Sequence, residues 1–377
     1  MSRSARRHPR PLLGRGDSLA DQLVQARAAT IATPVSPRAP RLPLALPMAA
    51  LALCGCIILG AAVGPAGIAP GDVIRVILHH ILGLGAEVDA TTDAIVWDIR
   101  LPRVLLAGLV GATLGFSGAT YQGVFRNPLA DPYLLGVASG AGLAATIVIV
   151  SDLPQDYGRV SIVTIAAFAG AIAAVLLAYS LARIAGHTPT TTLILAGVAL
   201  SSIAVSLTSY LMLVSRESSL SILTWLLGGF NSSGWYKMWY ILPYALPAGL
   251  VVYLHARVLN VLQLDEQQAQ QLGLNVERTR AVLLLAASLA AASAVAVAGI
   301  IGFVGLVAPH VVRLLVGPDY RRLLPLVALV GAAFLILADL GARTLVEPGE
   351  VPVGVVTAVV GAPFFLFLLR RQRKAFF

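Results

Sequence analysis

The sequence is poor in charged residues, and this scarcity defines its class. Only 12% of its 377 residues are charged and 58% are hydrophobic, whereas soluble domains carry about 25% charged residues. Long runs of Leu, Ala, Val and Ile, each about 20 residues, have the length of a helix that crosses a bilayer. A transmembrane barrel would show alternating segments of about 10 residues instead. The composition therefore predicts an all-α polytopic membrane protein.

Lysine is almost absent, which excludes one kind of nucleotide site. A phosphate-binding loop needs the pattern GxxxxGK[ST], and neither Lys237 nor Lys374 follows a glycine. We therefore expect that this chain does not hydrolyse ATP by that route and holds no cofactor of its own. HExxH and GxSxG motifs are also missing, so a membrane enzyme has little support.

Cysteine and intramembrane acid are scarce as well. Cys54 and Cys56 lie in one apolar run, which leaves no disulfide framework or zinc site, and we expect no metal centre. Asp339 is the single acid deep in a predicted span, and Arg343 lies four residues further on the same helix face. We expect these two to form a structural intramembrane pair. An ion-coupled carrier, the alternative from another functional class, generally needs more ionisable groups at mid-membrane.

The basic residues give the topology. Residues 1–43 contain eight arginines and no signal-peptide pattern, so we predict a disordered basic cytoplasmic tail. Ten spans follow, and we place them at 44–63, 104–125, 133–150, 160–182, 191–214, 238–256, 281–300, 303–316, 323–342 and 353–369. With both termini in the cytoplasm, 20 of the 27 Lys and Arg fall on that side, as the positive-inside rule requires. The net charge of +9 is therefore a topology signal, and no nucleic-acid partner is expected.

Two shorter helices are predicted on the outer side. Residues 70–83 begin with a proline and resemble a helix that lies in the membrane interface. Residues 218–227 form a second short helix, followed by an aromatic-rich stretch typical of the membrane interface.

Three polar motifs interrupt the apolar pattern. The first is Arg100-Leu-Pro-Arg103, which lies with Arg343 at the outer ends of spans. The rigid guanidinium groups are suited to bind carboxylates of a partner. Alternatively, these arginines only anchor the helix ends by extending their charged groups to the membrane surface. The segment 126–132, RNPLADP, forms a stiff turn at an inner mouth, with Asn and Asp as helix caps. Residues 261–280 are so polar that they must stand in water, and Gly273 divides them into two short helices. We call them the coupling segment below.

The sequence resembles the iron-chelate and cobalamin importer permeases of the ABC superfamily, the FecCD-type subunits of type II importers. The resemblance spans about residues 50–372. It rests on the segments RLPRVLLAGLVGATLGFSGATYQGVFRNPLADPYLLGVASGAG, TLILAGVALSS, GFVGLVAPHVVRLLVGPDYRRLLP and ADLGART…GEVPVGVVTAVVGAPFFLFLLRR.

This resemblance implies a type II ABC importer permease fold with ten transmembrane helices over residues 44–372. It implies a homodimer surrounded by membrane lipid in the bacterial cytoplasmic membrane. Two ABC ATPase subunits would bind the ATP on the inner side, and a periplasmic or lipid-anchored substrate-binding protein would dock outside. The implied cargo is an iron chelate, a ferric siderophore, with haem or cobalamin as alternatives.

The resemblance also implies roles for individual residues. The arginines that receive glutamates of the binding protein match Arg100, Arg103 and Arg343. The cytoplasmic gates match Asn127 and Leu129, and then Thr190 and Thr191, although the sequence TPTTT departs from the usual family pattern there. The paired coupling helices match residues 264–280, and the implied ATPase contact is Leu264, Ala269, Leu272 and Gly273.

Overall fold

The computed structural model describes residues 42–84, 88–151, 153–183, 189–231, 234–264, 266–346 and 349–376. The tail predicted at 1–43 lies outside the described residues, apart from its last two, which already belong to the first helix. Asp265, in the coupling segment, also lies outside them.

The described chain is almost entirely helical. Its α-helices are α1 (Leu42–Ala62), α2 (Pro70–Leu82), α3 (Ala90–Ala94), α4 (Leu101–Phe125), α5 (Val137–Val150), α6 (Ile162–Ala182), α7 (Thr190–Val214), α8 (Ser219–Leu227), α9 (Trp235–Leu254), α10 (Ala256–Val261), α11 (Glu266–Gln271), α12 (Val276–Ala298), α13 (Val304–Val316), α14 (Tyr320–Thr344) and α15 (Val353–Phe376). A small antiparallel hairpin, β1 (Asp156–Tyr157) and β2 (Val160–Ser161), precedes α6.

Every predicted span coincides with one of these helices. Six helices in the described ranges are long and apolar enough to cross a membrane, and they are Leu44–Ala62, Ala90–Phe125, Ile162–Ala182, Thr190–Val214, Val276–Ala298 and Tyr320–Thr344. Three shorter apolar helices, Val137–Val150, Val304–Val316 and Val353–Leu368, correspond to the third, eighth and tenth predicted spans. The sixth corresponds to α9, which contains Pro243 and Pro247. The polytopic helical fold is thus established, and the count of ten crossings stays a prediction.

The second span begins earlier than its predicted start at residue 104. The helix starts at Ala90 and runs through a π-helical segment, Ile95–Arg100, into α4. In that segment the backbone N–H of Leu101 donates to the carbonyl of Val96, five residues back. This wider turn carries the helix into Pro102, which lacks the donor that a regular turn would use.

Helix α4 is the central element and connects the two ends of the molecule. A Cβ added to Gly118 would overlap the Gly305 carbonyl on α13, so the two backbones touch there. The buried hydroxyls of Tyr121 and Ser288 are 2.6 Å apart and join α4 to α12. From Arg103 to Phe125 the helix rises about 33 Å, at about 1.5 Å per residue. Its first turns carry the outer arginines, and its last turn leads into the RNPLADP turn.

Candidate functional site

The coupling segment presents a short helix to solvent. Five of the six residues of α11 are exposed, and only Ala269 is buried, at 0% exposure. The helix ends in a Schellman motif, because Leu274 N donates to Ala269 O at 3.2 Å and Gly273 N donates to Gln270 O at 2.9 Å. Gly273 takes a left-handed φ of 82°, which suits glycine. The break at Gly273 is therefore confirmed, but the helix after it is not short, because it is the start of the 23-residue helix α12.

The structure separates the four residues that the resemblance assigned to the ATPase contact. Leu264 and Leu272 are apolar side chains that are 42% and 66% exposed. Ala269 instead belongs to the protein's own core, together with the partly buried Leu274. Ala269 is thus the residue on which α11 rests, while the two leucines form the surface that a partner can reach.

Side-chain hydrogen bonds fix the coupling segment to the end of α4. Arg126 Nε donates to Leu262 O at 2.6 Å, and Gln263 Nε2 donates to Gly123 O at 3.0 Å. Arg126 ends α4 with a φ of 49°, a left-handed conformation that costs free energy in a residue with a side chain. Two motifs that the sequence showed separately, the coupling segment and the RNPLADP turn, are therefore one connected unit.

The RNPLADP turn is held by its own polar residues. Asn127 Oδ1 accepts the backbone N–H of Leu129 at 2.9 Å, and Asp131 Oδ1 accepts that of Tyr133 at 2.8 Å. Burial raises the pKa of Asp131 to about 6, although the hydrogen bond from Tyr133 lowers it. The predicted gate residues Asn127 and Leu129 are both exposed, Leu129 at 52%. The turn is thus stiff and carries an apolar side chain at its tip.

The second predicted gate lies beside the coupling segment. Thr190 begins α7 and lines a cavity of about 630 Å³ that Gln270 of α11 and Arg280 of α12 also line. Thr191 is exposed. Glu266 and Arg280, whose charged groups are 3.4 Å apart, connect α11 to α12 on the same cavity. Asn127 and Leu129 are not among the residues that line it.

Asn260 anchors the helix that precedes the coupling segment. Its Nδ2 donates to Asp319 at 2.6 Å and its Oδ1 accepts Tyr320 N at 3.0 Å, which ties α10 to the start of α14. Burial acts to raise the pKa of Asp319, but hydrogen bonds from Asn260 and Arg321 N outweigh it and hold the pKa below its usual value. The coupling segment is therefore fixed to α4, and the helix before it, α10, is fixed to the start of α14.

At the opposite end of α4, an arginine cluster surrounds Asp339. Arg103 Nη2 lies 2.9 Å from Asp339 Oδ1, and its Nη1 and Nη2 donate to Glu350 at 3.0 and 2.9 Å. Arg343 Nε is 3.1 Å from Asp339 Oδ2, so the predicted intramembrane pair is in contact. The Asp339 side chain is only 1% exposed and receives two guanidinium groups where the sequence suggested one.

Arg100 and Arg343 also hold the end of α1. Arg100 Nη1 donates to Ala61 O and Ala62 O at 3.1 and 2.7 Å, and its Nη2 donates to Ala66 O at 2.6 Å. Arg343 Nη2 donates to Gly60 O at 3.0 Å. Cations suit the last turn of a helix, where carbonyls lack intrahelical partners. Two of the three predicted docking arginines thus already have backbone partners.

Sequence reasoning missed Glu350 and the end of α1. Glu350 lies seven residues beyond Arg343 in the GEVPVG segment. An acidic residue so close to a predicted outer arginine could have indicated that Glu350 belongs to the arginine cluster. The partners on α1, Ala61 and Ala62, are 39 and 38 residues from Arg100, and no local pattern points to them.

The chain matches known proteins over most of its length. Residues 50–371 match the FecCD transport family. The chain belongs to the FecCD transport family. This FecCD permease is 48% identical to the cobalamin import system permease BtuC of Halobacterium salinarum over 288 residues, which are 75% of each chain. It is 42% identical to the hemin transport system permease HmuU of Yersinia pestis, over 76% of this chain and 86% of that one.

A solved structure agrees with this membership. The FecCD permease superimposes on a metal-chelate type ABC transporter in an inward-facing conformation with a TM-score of 0.77 and 31% identity, covering 87% of this chain and 99% of that chain. The resemblance inferred from the sequence is confirmed, and the protein is the multi-pass membrane permease of an ABC importer. The siderophore cargo is not established by these matches, because the named relatives carry cobalamin and haem.

Proposed function

We propose that this permease forms a homodimer that imports a metal chelate, powered by two partner ATPase subunits that bind the ATP. A substrate-binding protein delivers the cargo at the end with the arginine cluster. The membrane is the bacterial cytoplasmic membrane, with both termini in the cytoplasm. One observation carries this proposal: α11 faces water while Arg126 and Gln263 attach its flank to α4, whose other end carries the arginine cluster.

These attachments support a rigid coupling mechanism. A displacement of α11 by an ATPase passes to α12 through the Glu266–Arg280 ion pair, and Gln263, near the start of α11, is hydrogen-bonded to the end of α4. Transporters commonly change state through such movements of whole elements. The gates at Leu129 and Thr190 lie next to these attachments, so the same displacement reaches them.

Leu264 and Leu272 form the proposed ATPase contact, with Ala269 and Gly273 setting the position of their helix. Leu272→Glu places a charge in that apolar contact, and we expect loss of ATPase co-purification. Gln271→Glu adds the same charge to the neighbouring exposed residue and is the matched control. Equal recovery of the ATPase with both variants would rule out this docking surface.

Cobalamin is the first candidate cargo, because the relative with 48% identity is named a cobalamin permease. Haem is supported by the relative from Yersinia pestis, and the ferric siderophore expected from the sequence remains the third candidate. The test is a competition experiment in proteoliposomes that contain the permease, the ATPase and a binding protein. Uptake of labelled cobalamin should be blocked by unlabelled cobalamin and unaffected by haem or ferric siderophores. Transport of haem or a ferric siderophore in place of cobalamin would identify that compound as the cargo instead.

A further inference from the structure

Arg103 is shared by two carboxylates in very different surroundings. The Asp339 side chain is 1% exposed and has Arg343 as a second partner, whereas the Glu350 side chain is 35% exposed. Separating a buried carboxylate from its cation is costly, while an exposed ion pair adds little stability. Of the two partners of Arg103, Glu350 is therefore the one that water or another carboxylate can replace.

Arg103 also differs from the other two arginines of the cluster. Arg100 is bound to three backbone carbonyls, and Arg343 is bound to Asp339 and to carbonyls at the end of α1. These carbonyls belong to a helix end and its following turn, which no docking protein can displace without unwinding them. Arg103 alone offers a bidentate guanidinium edge whose present partner is an exposed carboxylate.

We propose that Glu350 is an internal substitute for the docking carboxylate. It neutralises Arg103 in the undocked permease, and an acidic side chain of the binding protein takes its place when the two proteins meet. Arg100 and Arg343 act as positioning residues that hold α1 against the cluster. This inference rests on the proposed function, since it assumes a binding protein with an acidic contact.

The exchange has a structural consequence because Glu350 lies in the connection between α14 and α15. Val351 N donates to Ala342 O at 3.0 Å, and Val353 N donates to Gly228 O at 3.1 Å, at the end of α8. A Cβ added to Gly354 would overlap the Leu227 carbonyl, so α15 begins in direct contact with α8. Release of Glu350 thus removes the link between Arg103 and this connection, and docking is transmitted through the connection to the ends of α8 and α15.

The first test measures docking with Glu350→Gln, which removes the competing charge. We expect this variant, in the complete transporter, to bind the substrate-binding protein that supports uptake about five-fold more tightly than the unmodified protein. Glu217→Gln removes an exposed charge outside the cluster and should bind like the unmodified protein. Unchanged or weaker binding by Glu350→Gln, or an equal gain in both variants, would overturn the exchange.

The second test needs no binding protein and separates this inference from the proposed function. A nitroxide is attached at Val346→Cys, an exposed site on the same connection, after replacement of Cys54 and Cys56 by alanine. Glu350→Gln should raise the label's mobility, and Glu217→Gln should not. Unchanged mobility in Glu350→Gln would show that the Arg103–Glu350 pair does not restrain this connection, whatever the docking result. Raised mobility without any docking by the unmodified permease would instead contradict the proposed function alone.

Discussion

Asp339 is the residue on which the arginine cluster depends, and its removal gives the sharpest stability prediction. It receives three N–H contacts from Arg103, at 2.9 to 3.2 Å, and an ion contact from Arg343 at 3.1 Å. Asp339→Ala leaves two guanidinium groups, 11% and 8% exposed, without their shared anion. Breaking a buried pair by removing one partner costs about 3–5 kcal/mol, and Glu350 still compensates Arg103. We therefore expect Asp339→Ala to lower the free energy of unfolding by about 3 kcal/mol.

The assay is unfolding of the detergent-solubilised permease by SDS, followed by tryptophan fluorescence. Asp72→Ala is the control, since Asp72 pairs with Arg75 at 3.0 Å in an exposed position, and such pairs contribute about 0–1 kcal/mol. The double variant Asp339→Ala with Arg103→Met should lose less unfolding free energy than the sum of the two single losses. The second change removes the guanidinium that the first leaves without its buried anion. Equal unfolding midpoints for Asp339→Ala and Asp72→Ala would show that Asp339 does not stabilise the arginine cluster.

Three further predictions concern the interior and the coupling end. Gly118→Ala forces a Cβ against the Gly305 backbone and should lower the free energy of unfolding by about 1–3 kcal/mol, whereas Gly71→Ala, which has open space, should not. Asn260→Ala removes a donor to Asp319 and should destabilise the protein by about 1–3 kcal/mol, measured by the same SDS titration. Asp131→Asn should stabilise the protein at pH 7.5, because burial penalises the charged carboxylate. This gain should shrink as the pH falls to 5, through a pKa of about 6, since the native carboxyl becomes protonated; a gain that grows instead would contradict the burial.

Local chemistry made several elements predictable. The helices expected at 70–83 and 218–227 are confirmed as Pro70–Leu82 and Ser219–Leu227. A proline begins the first helix, and a glycine follows each of them. The coupling segment was recognisable because its glutamines and acids cannot lie in lipid, and its break at Gly273 follows from the conformational freedom of glycine.

Contacts between distant residues were not predictable from one sequence. Arg103 and Glu350 are 247 residues apart, and Arg126 and Leu262 are 136 apart, so no helical or turn periodicity relates them. The role of Ala269 was also not predictable, because an alanine in a polar helix is equally consistent with a contact to a partner and with packing against the protein's own core. Burial within the folded chain decides between these two readings.

We propose above that a separate ATPase drives import through this permease. The most direct measurement is uptake of labelled cobalamin by proteoliposomes that contain the permease and binding protein, with or without the ATPase subunits. We expect uptake only when the ATPase and ATP are both present, and none under a proton or sodium gradient alone. Gradient-driven uptake by the permease without the ATPase would contradict it and favour an ion-coupled carrier.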